Sequence, residues 1–402
     1  MNRNKKSVLF VINTMGRAGA ETALLELLRR IDKSEYEVSL YVLTGQGEMM
    51  NQIPEGVKLI NRNLDTNSVH DSLGRKHLAK KVVFALLKEA NGVKLMPYFI
   101  KNGTDMLKKG QILPEKLLWR PISDAASKPR KRYDIAVSYI EGAAAYYVAD
   151  HVEADRKVAF IHVDYEKAGY TRELDRDCYL QFDRIFGVSD EVADVFRKVY
   201  PELAEKTGVF HNLLNNEAII EKSLLGEGFS DNFGGVRILT VGRLMKQKAF
   251  EVSIRAAKIL KDHGEDIRWY VLGEGDQHSR LTALIQKLGL EEDFKLLGAT
   301  DNPYPYFKKA DLYVHCSRFE GKSIAVQEAQ ILGKPIIVSD CSGNREQVIH
   351  GEDGFICEFD SKSIAKAIKE LIDDKALREK LAQNALKRNM NSGEEVRKIF
   401  EN

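Results

Sequence analysis

Ser317-Arg318-Phe319-Glu320-Gly321-Lys322-Ser323-Ile324-Ala325-Val326-Gln327-Glu328-Ala329 is the stretch whose reading decides the fold. Before it, Asp311-Leu312-Tyr313-Val314-His315-Cys316 reads as a short buried strand. After it, Ile324 to Leu332 reads as a helix stopped by Gly333 and Pro335. Glu320 therefore belongs to a strand-to-helix loop, and Glu328 lies about a turn inside the helix. A helix start after a glycine presents backbone N–H groups and attracts phosphate. Two carboxylates beside such an anion site suit a ligand that carries both phosphate and hydroxyls, such as a nucleotide sugar.

The same strand-then-loop grammar recurs along the chain. In the first half the apolar runs are Val8–Ile12, Val38–Leu43, Val57–Ile60, Ile135–Tyr139, Val158–Ile161, Ile185–Val188 and Val209–Phe210. In the second half they are Ile238–Val241, Trp269–Leu272, Lys295–Leu297, Leu312–His315, Ile336–Val338 and Phe355–Cys357. Helix-period segments separate them, which is the pattern of parallel α/β sheets. Two such series in 402 residues imply two doubly wound domains, 1–216 and 217–402, with the break between Asn212 and Val236 where Asn215-Asn216 and Gly226 to Gly235 are loop-rich. Residues 62–132 interrupt the first series and read as a helical, basic insertion.

Composition narrows the class. Hydrophobic content of 44% supports real cores, and the longest apolar runs fall far short of the roughly 20 residues of a membrane-spanning helix. The apolar stretch after the basic start is too short for a signal peptide, so a cytoplasmic location is expected. Cys178, Cys316, Cys341 and Cys357 show no C-x-x-C spacing and read as buried thiols, not as a metal site. The net charge is only +2, yet Ser72 to Arg132 carries fifteen Lys or Arg against four acids, a local +11 that leaves −9 for the rest.

Several loop residues are candidates for chemistry. The first loop, Thr14-Met15-Gly16-Arg17-Ala18-Gly19-Ala20-Glu21-Thr22, precedes an amphipathic helix with Ala23, Leu24, Leu27 and Leu28. Gly19 would let the backbone approach a ligand, although such a turn is also ordinary. The loop is not G-x-G-x-x-G and has no companion acid, which disfavours a nicotinamide cofactor. In Thr240-Val241-Gly242-Arg243-Leu244-Met245-Lys246-Gln247-Lys248, Arg243 and Lys248 form a fork and a point charge suited to a diphosphate, or else a solvated basic loop. His162 follows a buried strand, at the end where open α/β sheets bind ligands, and suits a sugar hydroxyl or a structural role. Gly275, in Gly273-Glu274-Gly275, allows close approach by a ligand. Gly298 ends another strand, where backbone groups suit a nucleobase edge. Each is an ordinary turn in isolation.

As an ordered set, these pieces resemble glycosyltransferase family 4, retaining enzymes of the GT-B fold like those that build bacterial capsules and exopolysaccharides. The resemblance rests on Ala18-Gly19-Ala20-Glu21, Gly242-Arg243-Leu244 with Lys248, Gly273-x-Gly275, and Glu320-x7-Glu328. It implies two Rossmann-like domains facing a central cleft, an acceptor-binding N-terminal one and a C-terminal one that holds the donor, with the last helix packing back on the first domain. Arg243 and Lys248 would contact the donor diphosphate, and Gly19 would bring first-loop N–H groups against it. Glu328 would take the ribose hydroxyls, Glu320 the transferred sugar near C1, and His162 a sugar hydroxyl. Gly321, Ser323 and Ile324 would complete the donor site. Ala18 and Ala249 stand where glycines are common, and Lys322 stands where the family is apolar or aromatic and is expected to point to solvent.

The expected activity is metal-independent transfer of a hexose or N-acetylhexosamine, without a cofactor, from a nucleoside diphosphate sugar. Uridine is the expected base, and a glycan or polyprenyl-linked molecule the acceptor. A nucleotide-sugar epimerase and a non-catalytic nucleotide-sugar-binding subunit are the alternatives. The basic insertion has apolar patches at Val82 to Leu87, Tyr98 to Ile100 and Leu117 to Trp119. It suits an anionic membrane surface at the inner face of the cell membrane; no nucleic acid partner is expected.

Overall fold

The computed structural model describes residues 5–61, 63–68, 72–88, 91–110, 112–388 and 394–401. Thirteen strands form two all-parallel sheets. The first contains β1 (Lys6–Ile12), β2 (Tyr36–Val42), β3 (Val57–Leu59), β4 (Tyr133–Ser138), β5 (Ala154–Ile161), β6 (Arg184–Gly187) and β7 (Thr207–Val209), in the order β3-β2-β1-β4-β5-β6-β7. The second contains β8 (Val236–Val241), β9 (Ile267–Leu272), β10 (Phe294–Leu296), β11 (Leu312–His315), β12 (Ile336–Ser339) and β13 (Phe355–Cys357), in the order β10-β9-β8-β11-β12-β13. In each sheet the order of strand addition reverses once, between β1 and β4 and between β8 and β11. The carboxyl ends of those strands are where such sheets leave a crevice.

The strands are continuous apolar runs because helices cover both faces. In β1, Val8 to Ile12 are fully buried. In β9, Trp269 and Val271 enter one core while Tyr270 and Leu272 enter the other, following the two-residue period of a strand. Most strands begin one to four residues before their apolar runs, β5 by four, and β7 and β10 also end one residue short of theirs. For these two, the paired residues run Phe294–Leu296 opposite Trp269–Val271 and Thr207–Val209 opposite Ile185–Gly187, so the ladder and not the apolar run sets the ends.

The chain divides into two compact units, 1–213 with 392–402, and 214–391. Within the first, Phe400 stacks on Tyr36 with ring centroids 4.1 Å apart. In the loop-rich break, Asn216 opens the helix Asn216–Ser223, and Asn215, the last residue of the loop before it, caps that helix by accepting from the Ala218 N–H at 2.9 Å. The first helix, α1 (Gly19–Arg30), buries Ala23, Leu24, Leu27 and Leu28 as its spacing requires.

Between β3 and β4 lie α2 (Ser72–Leu87), α3 (Asn91–Lys94), α4 (Met96–Lys108) and α5 (Pro114–Ala125), so the basic interruption is helical over most of its described residues. Residues 62, 69–71, 89–90 and 111 fall outside the description. No helix among the described residues is long and apolar enough to cross a membrane.

Candidate functional site

The second unit gathers most of the candidate residues at the carboxyl ends of its strands. After β8 the chain passes Gly242 and Arg243 and makes a short turn over Lys246–Lys248. After β11 it forms the Ser317-to-Glu320 loop and enters the helix Ile324–Ile331. Two hydrogen bonds tie these loops together: Arg318 N–H donates to the Gln247 carbonyl at 2.9 Å, and Gln247 Nε2 donates to the Phe319 carbonyl at 2.8 Å. They hold Lys248 and Glu320, 72 positions apart, at 2.5 Å.

Glu320 is the hub of a buried network. Its Oε1 accepts from Lys248 Nζ, from His315 Nε2 at 3.0 Å and from Ser317 Oγ at 2.5 Å. Burial alone would raise the Glu320 carboxyl. The Lys248 charge, followed by the His315 hydrogen bond, outweighs it and holds the group well below the usual carboxylate range. His315 is pushed the other way, first by burial and then by Lys248, so its ring is neutral near pH 7. A neutral ring that donates from Nε2 must accept at Nδ1, and Tyr313 Oη lies 3.2 Å from that atom. Ser339 fixes the loop below by donating to the Ser317 carbonyl and accepting from its N–H, both at 2.8 Å. Arg243 is exposed; its carbonyl accepts from the Met245 N–H at 2.8 Å, while its guanidinium has no polar partner among the described residues and is available.

Glu328 is in the opposite state. It is buried, and burial raises its carboxyl to about 7 against the opposing effects of a Tyr304 hydrogen bond and the Lys222 charge. Tyr304 Oη donates to Oε1 at 3.0 Å.

Three sequence-based expectations change here. Ser323 precedes the helix as foreseen, but its N–H donates to Gln347 Oε1 and its carbonyl accepts from Gln347 Nε2, both at 2.8 Å. That N–H is therefore already engaged, and Ile324 begins the helix proper. The close approach that Gly275 permits is to the chain's own backbone: a Cβ there would lie 2.3 Å from the Leu244 carbonyl oxygen. Lys322 is half-buried and has a polar or electrostatic partner, so it does not simply point to solvent.

The remaining glycines divide by cause. Gly298 adopts a φ of +78°, and a Cβ there would meet only Glu274 Oε1 at an ordinary 3.8 Å, so conformation is what requires it; its carbonyl accepts from the Gly273 N–H at 2.8 Å. Gly321 is buried over Gly343, where a Cβ would meet the Gly321 carbonyl oxygen at 2.3 Å. Ala249, noted as standing at a glycine position, takes a φ of +46°.

The first unit brings a second group of loop ends together, where β1, β4 and β5 lie side by side. Asn13 Oδ1 accepts from the Ala144 N–H at 2.8 Å, and its Nδ2 donates to the Glu141 carbonyl at 3.2 Å. Glu141 is buried and its carboxyl is raised by burial; Oε2 accepts from the His162 N–H at 2.9 Å. Burial lowers His162 to about 4 against a hydrogen bond to the Tyr139 backbone. Its Nε2 is buried with no hydrogen-bond partner in the structure. The neutral ring thus offers an acceptor nitrogen for a hydroxyl hydrogen bond. Gly19 opens α1, half-buried, and Ala18 gives that helix no side-chain cap. Asn13, Glu141, His315, Ser317, Tyr304 and Gln347 take part in these arrangements without any motif that marks them.

The four cysteines are free and buried, and among the described residues no three His, Cys, Asp or Glu side chains gather as a metal site would need.

Comparison with known proteins places these features. Residues 232–388 match the family described as Glycosyl transferases group 1. The chain resembles bacterial polysaccharide glycosyltransferases. It is 35% identical over 176 residues to a Campylobacter jejuni protein named N-acetylgalactosamine-N,N'-diacetylbacillosaminyl-diphospho-undecaprenol 4-alpha-N-acetylgalactosaminyltransferase, a match over 43% of this chain and 46% of that one. It is 29% identical over 187 residues to the capsular polysaccharide biosynthesis glycosyltransferase CapM of Staphylococcus aureus, over 44% and 45% of the two chains. In both cases the match spans less than half of the relative. The fold extends further. Anabaena HepE, solved with UDP-glucose, matches 98% of each chain with a TM-score of 0.67 at 18% identity. An S. aureus TarM variant solved with UDP matches with a TM-score of 0.65 at 11% identity, over 98% of this chain and 99% of that one. The architecture is thus the two-sheet α/β GT-B fold.

Proposed function

We propose that this chain is a retaining glycosyltransferase that moves a hexose or N-acetylhexosamine from a nucleoside diphosphate sugar, UDP being the nucleotide, to a glycan or polyprenyl-linked acceptor in surface polysaccharide synthesis. The observation that carries the proposal is the pair Glu320 and Glu328, eight positions apart in opposite electrostatic states, with Lys248 held on Glu320. The matched family segment and the UDP-bearing fold neighbours support the donor class, and the name of the C. jejuni relative supports a lipid-diphosphate acceptor.

In this reading the donor's C1–O bond to the β-phosphate breaks as the acceptor oxygen bonds C1 from the same face. The acceptor proton passes to the departing phosphate oxygen. Arg243 binds that diphosphate as a fork. Lys248 carries three donors, so it can serve Glu320 and a phosphate together. Neither a metal nor a cofactor is assigned. Glu320 stays ionised and stabilises positive charge that develops on the sugar ring. Glu328 accepts from the ribose hydroxyls. In the first unit, His162 Nε2 supplies an acceptor for a sugar hydroxyl.

A donor panel read by mass spectrometry, with a crude extract of lipid-linked acceptors, tests the proposal. Transfer of one sugar with release of the nucleoside diphosphate, lost in Glu320→Gln, is expected. An epimerised donor formed without acceptor would overturn it.

A further inference from the structure

More than half of the exposed large apolar side chains among the described residues lie between Leu64 and Ile112, in or beside the basic helices. Their arrangement is not random. On α2, Leu73, Lys76, Lys80, Val83, Phe84 and Leu87 fall within about 100° of helix arc. All six are exposed, and the four apolar ones are half to three-quarters exposed. The opposite side of the helix is fixed to the unit. Ala85 is buried, Gln46 Nε2 donates to the Gly74 carbonyl at 3.1 Å, and Lys81 Nζ donates to the Thr44 carbonyl. The apolar face is therefore not waiting to fold inward. On α4, Met96, Ile100 and Leu107 form a second exposed stripe, with Lys101 and Lys108 beside it. Both helices pack on α5, which leaves these faces uncovered.

From this surface we infer that α2 and α4 form a docking face for a bilayer rich in anionic lipid. Apolar side chains would enter the acyl boundary while Lys76, Lys80, Lys101 and Lys108 meet the headgroups. The charge argues for this occupant. A second copy of the chain would bring one +11 segment against another, because a two-fold interface places a patch on itself. A nucleic acid would match the charge but leave Leu73, Val83, Phe84 and Leu87 in water. The inference stands independently of the transferase reading, because its readout needs neither donor nor acceptor.

The test is sedimentation of the full chain with vesicles of phosphatidylglycerol and phosphatidylcholine, or of phosphatidylcholine alone, at low and high salt. Binding to the anionic vesicles that weakens with salt is expected. The variant Val83→Ser/Phe84→Ser/Leu87→Ser should bind at least roughly tenfold more weakly, the weight of one apolar side chain withdrawn from water. Lys76→Gln/Lys80→Gln should lose roughly fivefold per lysine. Should the triple variant fold poorly by circular dichroism, Ile100→Ser/Leu107→Ser repeats the measurement on α4. No binding of the wild type to anionic vesicles would overturn the inference. So would unchanged binding of folded variants, or loss of self-association in the triple variant without any effect on vesicles.

Discussion

Replacing Glu328 with Gln tests the state of the site most directly, because the wild-type residue is costly in the empty protein. Its carboxyl is raised to about 7 from an ordinary 4.5, chiefly by burial. Below pH 4.5 it is protonated whether the chain is folded or not and contributes no difference. Between 4.5 and 7 the unfolded chain ionises first, so stability falls as pH rises; above 7 the full cost, about 3 kcal/mol, is in place. Glutamine carries no charge and keeps an oxygen to accept from Tyr304, 3.0 Å away in the wild type, but its amide hydrogens lose solvent for about 1 kcal/mol. The variant should therefore be more stable at pH 8 by about 2 kcal/mol, or roughly 5 °C in the melting of the second unit. At pH 4.5 it should be equal or slightly weaker. Thermal unfolding of the full chain across that range is the assay, paired with UDP titration, in which the variant should bind at least roughly tenfold more weakly. A variant less stable than wild type at pH 8, or with the same pH slope, would refute the assignment of a buried, proton-holding carboxylate.

Other perturbations separate the parts of the network. Lys248→Ala should cost about 3 kcal/mol in denaturant unfolding, because it strands the buried Glu320 charge, and adding Glu320→Gln should restore most of that stability while transfer stays at least roughly tenfold down. Restored transfer in the double variant would contradict the roles given to both residues. His315→Phe keeps the ring but removes the donor to Glu320, so the acid limb of the rate profile should move to higher pH; an unchanged limb would show that His315 only fills space. Gly275→Ala should destabilise by about 3 kcal/mol, since its Cβ meets a carbonyl oxygen and not a flexible side chain, and wild-type stability would mean the loop can yield. Ala249→Gly relieves left-handed strain at the price of a buried methyl, so its unfolding midpoint should stay level or rise by up to about 1 kcal/mol.

The parts legible in the sequence are those set by local rules. Apolar runs mark the strands because parallel sheets bury both faces, and Gly242, Gly273 and Gly298 stand at their ends because a strand must turn there. What is not legible depends on segments that meet only in the fold. Gln347 clamps Ser323 from 24 positions away, and a lone glutamine carries no signal of that. His315 reads as one more residue of a buried strand, yet its ring faces Glu320 because the β11 loop folds back over the strand end. Gly275 reads as room for a ligand, whereas the occupant is Leu244, brought there by β8 pairing with β9. The face of α2 escapes a reading by periodicity because lysine and leucine alternate on both sides of the helix; burial alone tells which side the unit covers.

The opposite states of Glu320 and Glu328 follow from where each stands relative to one helix start. Glu320 lies in the loop before it, where the backbone is free to bend and hydroxyl, imidazole and ammonium groups from neighbouring segments can converge on one oxygen. Glu328 is five residues into the helix Ile324–Ile331, where backbone N–H groups are committed to carbonyls four residues back and none can turn toward a side chain. It depends on what a neighbouring element sends, and Tyr304 sends one neutral hydroxyl. One charged donor and two neutral ones keep Glu320 ionised; a single neutral donor against full burial leaves Glu328 holding its proton to near pH 7. A ligand with two adjacent hydroxyls would complete the second carboxylate's shell as the protein completes the first, and a ribose has that shape.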